Sequence, residues 1–140
     1  MKFPNWLSQR AIQKKEAIAL IFKSTPNQAT ERWTYSQLEA EVNHCVNYLQ
    51  ALRIKSGDRV GLLLTNHPKY IIVIHALIKC EAIAIFLNIR LTAEELIWQI
   101  QDSLTKYLFY DEVTKTIAKS IENQIDNLIV LEVFHASVNI

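Results

Sequence analysis

Gly57-Asp58-Arg59-Val60-Gly61-Leu62-Leu63-Leu64-Thr65-Asn66-His67-Pro68 opens the stretch that decides the fold, which continues through an apolar segment at 70–78 to Ala82-Ile83-Ala84-Ile85-Phe86-Leu87. Residues 59–64 and 82–87 are short apolar runs of the kind that suit strands buried on both faces of a sheet. Between them Asn66 is a suitable N-cap, and Pro68 falls in the first helical turn, where a missing N–H costs nothing. The segment 70–78 is apolar apart from His75 and predicts a buried crossover helix. A strand, a helix and a second strand in this order predict a right-handed βαβ unit in a parallel sheet.

This unit carries no nucleophile beside a base, no clustered metal ligands and no glycine-rich turn. Only Gly57 and Gly61 are present in the whole chain. A Walker-type loop and the GxGxxG fingerprint each need at least two glycines in close register, so neither way of cradling phosphate is encoded here.

The 140 residues suit one domain with a real core, and the hydrophobic share of 50% argues against disorder. A formal net charge of +1, with no basic stripe, argues against a nucleic-acid surface. Cys45 and Cys80 lie far apart, each in an apolar helical pattern, and read as small buried thiols in a reducing cytoplasm. Pro4, Asn5, Ser8, Gln9 and Arg10 interrupt any signal-peptide core, and the longest apolar run falls short of the roughly 20 residues of a membrane span.

Outward from the central unit, residues 3–13 predict a weak amphipathic helix, and 17–22 with 31–33 predict a small antiparallel hairpin around the polar loop 24–30. Two helix starts follow one design. In Trp33-Thr34-Tyr35-Ser36-Gln37-Leu38 and Leu91-Thr92-Ala93-Glu94-Glu95-Leu96, a threonine caps the N3 amide and Gln37 or Glu95 reaches back to the cap. Leu38, Val42, Cys45, Leu49 and Leu52 form the stripe of the first helix, and Leu96, Ile97, Ile100 and Leu104 that of the second. A strand at 106–110, a short helix around Ile117, Ala118 and Ile121, and a last strand at 128–131 complete an α/β order with a mostly parallel sheet flanked by helices.

The ordered set Trp33-Thr34-Tyr35, Gly57-Asp58-Arg59-Val60, Asn66 with Pro68, and Leu87-Asn88-Ile89-Arg90-Leu91 resembles the N-terminal part of the adenylate-forming (AMP-forming) acid–CoA ligases, over residues 4–112. Within that family, the opening Pro4-Asn5-Trp6-Leu7-Ser8-Gln9-Arg10-Ala11, Ile74-His75-Ala76 and the stretch 87–96 are most similar to the branch that acts on o-succinylbenzoate in menaquinone synthesis. The resemblance implies a single partial domain at 1–140, the incomplete N-terminal region of the large AMP-binding domain. It also implies a parent reaction in which ATP adenylates a carboxylic acid that is then transferred to CoA. ATP, magnesium and CoA belong to that parent. The family's phosphate loop, its magnesium-linked Thr-Glu pair, its ribose-binding Asp and its C-terminal lysine all lie beyond the matched region. No catalytic, cofactor-binding or metal residue is therefore assigned within this chain, and the chain alone is expected to be inactive.

Two positions depart from the family pattern. Glu81 stands where glycine is common, which is unfavourable if the turn needs a positive φ, and Phe86 stands where proline is common.

Several residues invite a functional reading. His75 reads as a satisfied core or helix-end histidine rather than a base. His44 beside Cys45, and His75 near Cys80, lack metal-site spacing. Glu94 and Glu95 are explained by the helix N-terminus. Trp6, Trp33 and Trp98 are not interleaved with basic residues as a nucleic-acid stacking face would be. Asn88 and Arg90 are the best candidates for a role beyond packing, tying the strand end to neighbouring loops. Two functional classes remain: an N-terminal piece of an acid–CoA ligase, or a non-catalytic binding or oligomerisation module on the same scaffold. A truncated parallel sheet would leave an open strand edge and an uncovered face, with Val133, Phe134 and Val138 still to place, and self-association is expected.

Overall fold

A computed structural model describes residues 5–23 and 25–133. The order is α1 (Trp6–Gln13), β1 (Ile18–Phe22), β2 (Glu31–Thr34), α2 (Tyr35–Ala51), β3 (Arg59–Leu63), α3 (Pro68–Lys79), β4 (Ile83–Phe86), α4 (Ala93–Asp102), β5 (Tyr107–Tyr110), α5 (Lys115–Glu122) and β6 (Ile129–Glu132). Strands β1 and β2 form the antiparallel hairpin, and β4-β3-β5-β6 is a parallel sheet in that spatial order.

Alternation along the central strands sends side chains to two separate cores. Val60, Leu62, Tyr107 and Phe109 join Leu38, Val42, Leu49, Val73 and Leu77 of α2 and α3 on one face. Leu63, Leu108 and Tyr110 join Leu96, Ile100, Ala118 and Ile121 of α4 and α5 on the other. The connections β3-α3-β4 and β4-α4-β5 cross the sheet in opposite directions and place their helices on opposite faces, as crossovers of one hand must. Both faces are thus covered, so the expected uncovered face does not exist among the described residues. Val133 is fully buried in the first core, while Phe134 and Val138 lie outside the described residues.

Strand β4 departs from the expectation of burial on both faces. It is an edge strand, with Ile83 exposed at 42% and Phe86 at 60%. Apolar composition marks a strand but does not distinguish a central position from an edge. The helix cap before α3 also differs. His67, not Asn66, is the N-cap, its Nδ1 accepting from the Lys69 N–H at 3.2 Å, with Pro68 at the first helical position.

Both predicted capping boxes form. Thr34 Oγ1 accepts from Gln37 N at 3.1 Å while Gln37 Oε1 accepts from Thr34 N at 2.9 Å. Thr92 and Glu95 repeat the exchange. The helix ends share a device as well. After α2, α3 and α4 the residues Arg53, Glu81 and Leu104 take φ of 63°, 56° and 55°. The next amides, Ile54, Ala82 and Thr105, then bond back to Leu49, Leu77 and Ile100. This is the Schellman stop, which favours glycine at the left-handed position. The turn at Glu81 therefore does require the conformation in which a glycine is preferred.

Candidate functional site

In an open parallel sheet, ligands tend to settle outside the carboxyl ends of neighbouring strands whose connections leave toward opposite faces. Here those strands are β3, which leads to α3, and β5, which leads to α5. The residues at that point are Leu63, Thr65, Asp111 and Thr114.

A buried carboxylate fills the position. Asp111, only 7% exposed, accepts at Oδ2 from the backbone N and the Oγ1 of Thr65, both at 2.7 Å. Its Oδ1 accepts from the amides of Val113 and Thr114 at 3.0 and 3.1 Å. Thr114 Oγ1 in turn donates to Leu63 O at 2.7 Å. Burial alone would push the Asp111 carboxyl up, but the hydrogen bonds from Thr65 and Thr114 outweigh it and hold the group below its ordinary range. An ionised carboxylate has about four acceptor directions, and all are used here. Asp111 therefore ties β3 to β5 and has neither a proton to give nor a lone pair free for a ligand.

The residues singled out from the sequence do not converge on this point. Asn88 Oδ1 accepts from Arg90 N at 2.9 Å, a local turn that orders its own loop rather than a tie to neighbouring loops. Arg90 is exposed and forms no ion pair among the described residues. His75 lies half-buried in a cleft of about 220 Å³ floored by Leu7, Leu20, Leu38 and Ile71 and rimmed by Trp6 and Arg10. Burial pushes its pKa down, Glu39 opposes this and Lys79 adds to it. Glu39 itself is engaged by Ser8 and by Lys79, which also bonds Asn43, so this cluster joins α1, α2 and α3.

His44 is exposed whereas Cys45 is buried, so the two point apart. Cys45 and Cys80 are free thiols, and burial pushes Cys45 up to about 12, which leaves it unreactive near neutrality. Glu95 is committed to the α4 capping box. Trp6 and Trp98 are exposed at 71% and 65% but sit on α1 and α4, on opposite sides of the sheet, while Trp33 is half-buried in the hairpin. Among the described residues no group of three or more His, Cys, Asp or Glu is arranged to hold a metal ion, and no helix is long and apolar enough to cross a membrane.

Sequence reasoning missed Asp111. The available signal was local: Asp-x-x-Thr directly after a strand and before a helix, the spacing at which Asp111 and Thr114 exchange hydrogen bonds.

Asp111 thus closes the switch point between β3 and β5, and the comparisons with known proteins give the chain a family. Residues 7–137 match the AMP-binding enzymes. The chain belongs to that family. It is 36% identical over 113 residues to the 2-succinylbenzoate–CoA ligase of Bacillus pumilus, a match covering 81% of this chain and 22% of that protein. It is 39% identical over 110 residues to the enzyme of the same name from Bacillus cytotoxicus, covering 79% of this chain and 22% of the relative.

Among solved structures, the o-succinylbenzoate coenzyme A synthetase of Bacillus subtilis in complex with AMP superimposes with a TM-score of 0.80 at 28% identity, covering 93% of this chain and 31% of that one. A Mycobacterium tuberculosis fatty acyl CoA synthetase gives 0.80 at 31% identity, covering 91% and 26%. The chain thus spans about a fifth of the length of the curated relatives it matches. The α/β fold with a parallel sheet and a small hairpin is that of the N-terminal region of adenylate-forming enzymes.

Family membership implies ATP, magnesium and CoA, and the described residues do not fit them. Among the described residues the carboxylate at the switch point is saturated, no group of three or more His, Cys, Asp or Glu is arranged to hold a metal, and Gly57 and Gly61 lie just before β3 and within it rather than in a loop before a helix.

Proposed function

We infer that this chain is the N-terminal part of an AMP-forming acid–CoA ligase whose carboxylic acid is o-succinylbenzoate, acting in menaquinone synthesis in the cytoplasm. In this reading residues 1–140 are one partial domain that contributes scaffold. The groups that hold ATP, magnesium and CoA are supplied by the remainder of the enzyme, and the chain alone is inactive. The observation that carries the reading is the match over 113 residues to a 2-succinylbenzoate–CoA ligase, covering 22% of that protein.

The test is a chimera in which residues 1–140 replace the matching segment of the Bacillus pumilus ligase. The chimera is expected to form the CoA ester of o-succinylbenzoate from ATP and CoA, while the 140-residue chain releases no pyrophosphate with that acid. A well-folded chimera inactive with o-succinylbenzoate but active with another acid overturns the substrate. Pyrophosphate release by the chain alone, above a no-enzyme control, overturns the scaffold role.

A second reading, a non-catalytic module on this scaffold, is favoured by one specific observation: helices cover both faces of the sheet within the described residues. A chimera that fails to fold while the 140-residue chain folds cooperatively supports it.

A further inference from the structure

We propose that the cleft between α1, α2 and α3 is a binding site for a small aromatic monocarboxylate, with the ring on its apolar floor and the carboxylate on Arg10. Each of the three helices brings one apolar residue and one side-chain donor to the same space of about 220 Å³. Trp6 and Arg10 stand four apart on α1, Tyr35 and Leu38 three apart on α2, and Ile71 and His75 four apart on α3. Such spacings put both members of a pair on one side of their helix, so the donors reach the cleft together with its apolar floor.

The guanidinium of Arg10, the hydroxyl of Tyr35 and the ring of His75 make no hydrogen bond among the described residues. Tyr35 and His75 are half-buried, so a ligand that displaces their water must bring acceptors of its own. Burial disfavours the charged form of His75, and the neutral ring keeps one N–H to donate. An ionised carboxylate only accepts hydrogen bonds and therefore matches all three groups. Charge sets the number of anionic groups at one. Among the described residues Arg10 is the only full cation lining the cleft, and nearby Lys79 is held by Glu39 and Asn43. A dianion such as phosphate would leave one charge unmatched. The body of the ligand follows from the walls. Leu7, Leu20, Leu38 and Ile71 are apolar, and Trp6, 71% exposed at the rim, offers an indole against which a second aromatic ring packs. The volume lies below the roughly 300–1,000 Å³ of drug-sized pockets and suits a single ring.

Titration of the isotope-labelled 140-residue chain with benzoate, followed by NMR at the Trp6 indole N–H, tests the inference. Binding needs neither ATP nor CoA, so its outcome is separate from that of the ligase reading. A saturable shift in the millimolar range is expected. Benzamide, the neutral isostere, should bind about tenfold or more weakly, and so should benzoate to Arg10→Gln. Arg10 is exposed, so that variant keeps its melting temperature. Lys115→Gln, on α5 across the sheet, should leave binding unchanged. Acetate, which lacks the ring, should bind more weakly than benzoate. The absence of a saturable shift overturns the inference, as does equal binding of benzamide or an affinity indifferent to Arg10→Gln. Acetate binding as tightly as benzoate overturns the place of the ring, and displacement of benzoate by inorganic phosphate overturns the monocarboxylate.

Discussion

Thr65 and Asp111 meet twice across the mouth of the sheet: the backbone N–H and the side-chain hydroxyl of Thr65 both donate to the same carboxylate oxygen at 2.7 Å. Two strands that feed helices on opposite faces are thereby joined where their connections part. Asp111→Ala leaves the buried Thr114 amide and the half-buried Thr65 amide and hydroxyl without that acceptor, each orphaned donor costing roughly 1–3 kcal/mol, while the amide of the exposed Val113 turns to water. The variant is expected to lose about 3 kcal/mol in urea denaturation. Thr65→Val, which keeps the backbone bond, should lose about 1 kcal/mol. Equal losses in the two variants would show that the side-chain bond dominates.

Acid should act in two steps. The folded-state pKa of His75 lies below its ordinary 6.5, because burial disfavours the charged ring. The unfolded chain therefore binds the proton more readily, so this contribution to stability is full above pH 6.5 and is lost as pH falls through the folded value. Asp111, held below its ordinary 3.8, contributes fully above that pH and loses its contribution as pH falls further. Melting temperature followed against pH is expected to decline below 6.5 and again below 3.8, with His75→Gln reducing the first decline, to which His67, also lowered by burial, contributes, and Asp111→Asn flattening the second.

Glu81 occupies a left-handed turn at φ 56° without the benefit of being glycine. Left-handed backbone costs an ordinary residue about 1 kcal/mol relative to glycine, so Glu81→Gly should raise stability by up to that amount despite the greater freedom of the unfolded chain. Leu104→Gly, at φ 55°, should behave alike. A fall in melting temperature for both would show that packing of the larger side chains outweighs backbone strain.

Charge placed in α3 separates its buried and flanking positions. Val73 is fully buried against the sheet, whereas Ile74 is half-buried on the margin of the same core. Val73→Asp is expected to unfold the chain, since an unpaired charge at such a site costs several kcal/mol. Ile74→Asp should lower the melting temperature by less. A shift of only a degree or two for Val73→Asp would place α3 away from the sheet.

Loss of either capping threonine should act locally. Thr34→Ala and Thr92→Ala each remove the acceptor for an N3 amide and are expected to cost about 1 kcal/mol in urea denaturation. No change in either variant would mean that water replaces the cap.

The parts of this fold that were legible in the sequence are those set by neighbours along the chain. Thr34 with Gln37 and Thr92 with Glu95 are each three residues apart, and the helices begin where those pairs stand. The continuous apolar runs of β3 and β5 were legible because both strands lie inside the sheet. Strand β4 has the same composition, but its edge position depends on β5 returning to the far side of β3, which no local pattern encodes. The local Asp111–Thr114 exchange was open to sequence reading, but the bond that ties Asp111 across the sheet was not, since its partner Thr65 is 46 residues away. His67 displaced Asn66 as the cap because the helix begins at Pro68, and the residue directly before it takes the cap position whatever its ranking.

The strand order β4-β3-β5-β6 also fixes a sequence of events during synthesis. A ribosome releases β3, α3 and β4 first, and these can pair as they emerge. The other side of β3 then waits for Tyr107–Tyr110, so the nascent chain passes through an interval in which a central strand of the sheet has one flank bare. Nascent chains with exposed strand edges are the ones chaperones attend. Translation speed over α4 therefore sets how long this chain is vulnerable before it can bury itself.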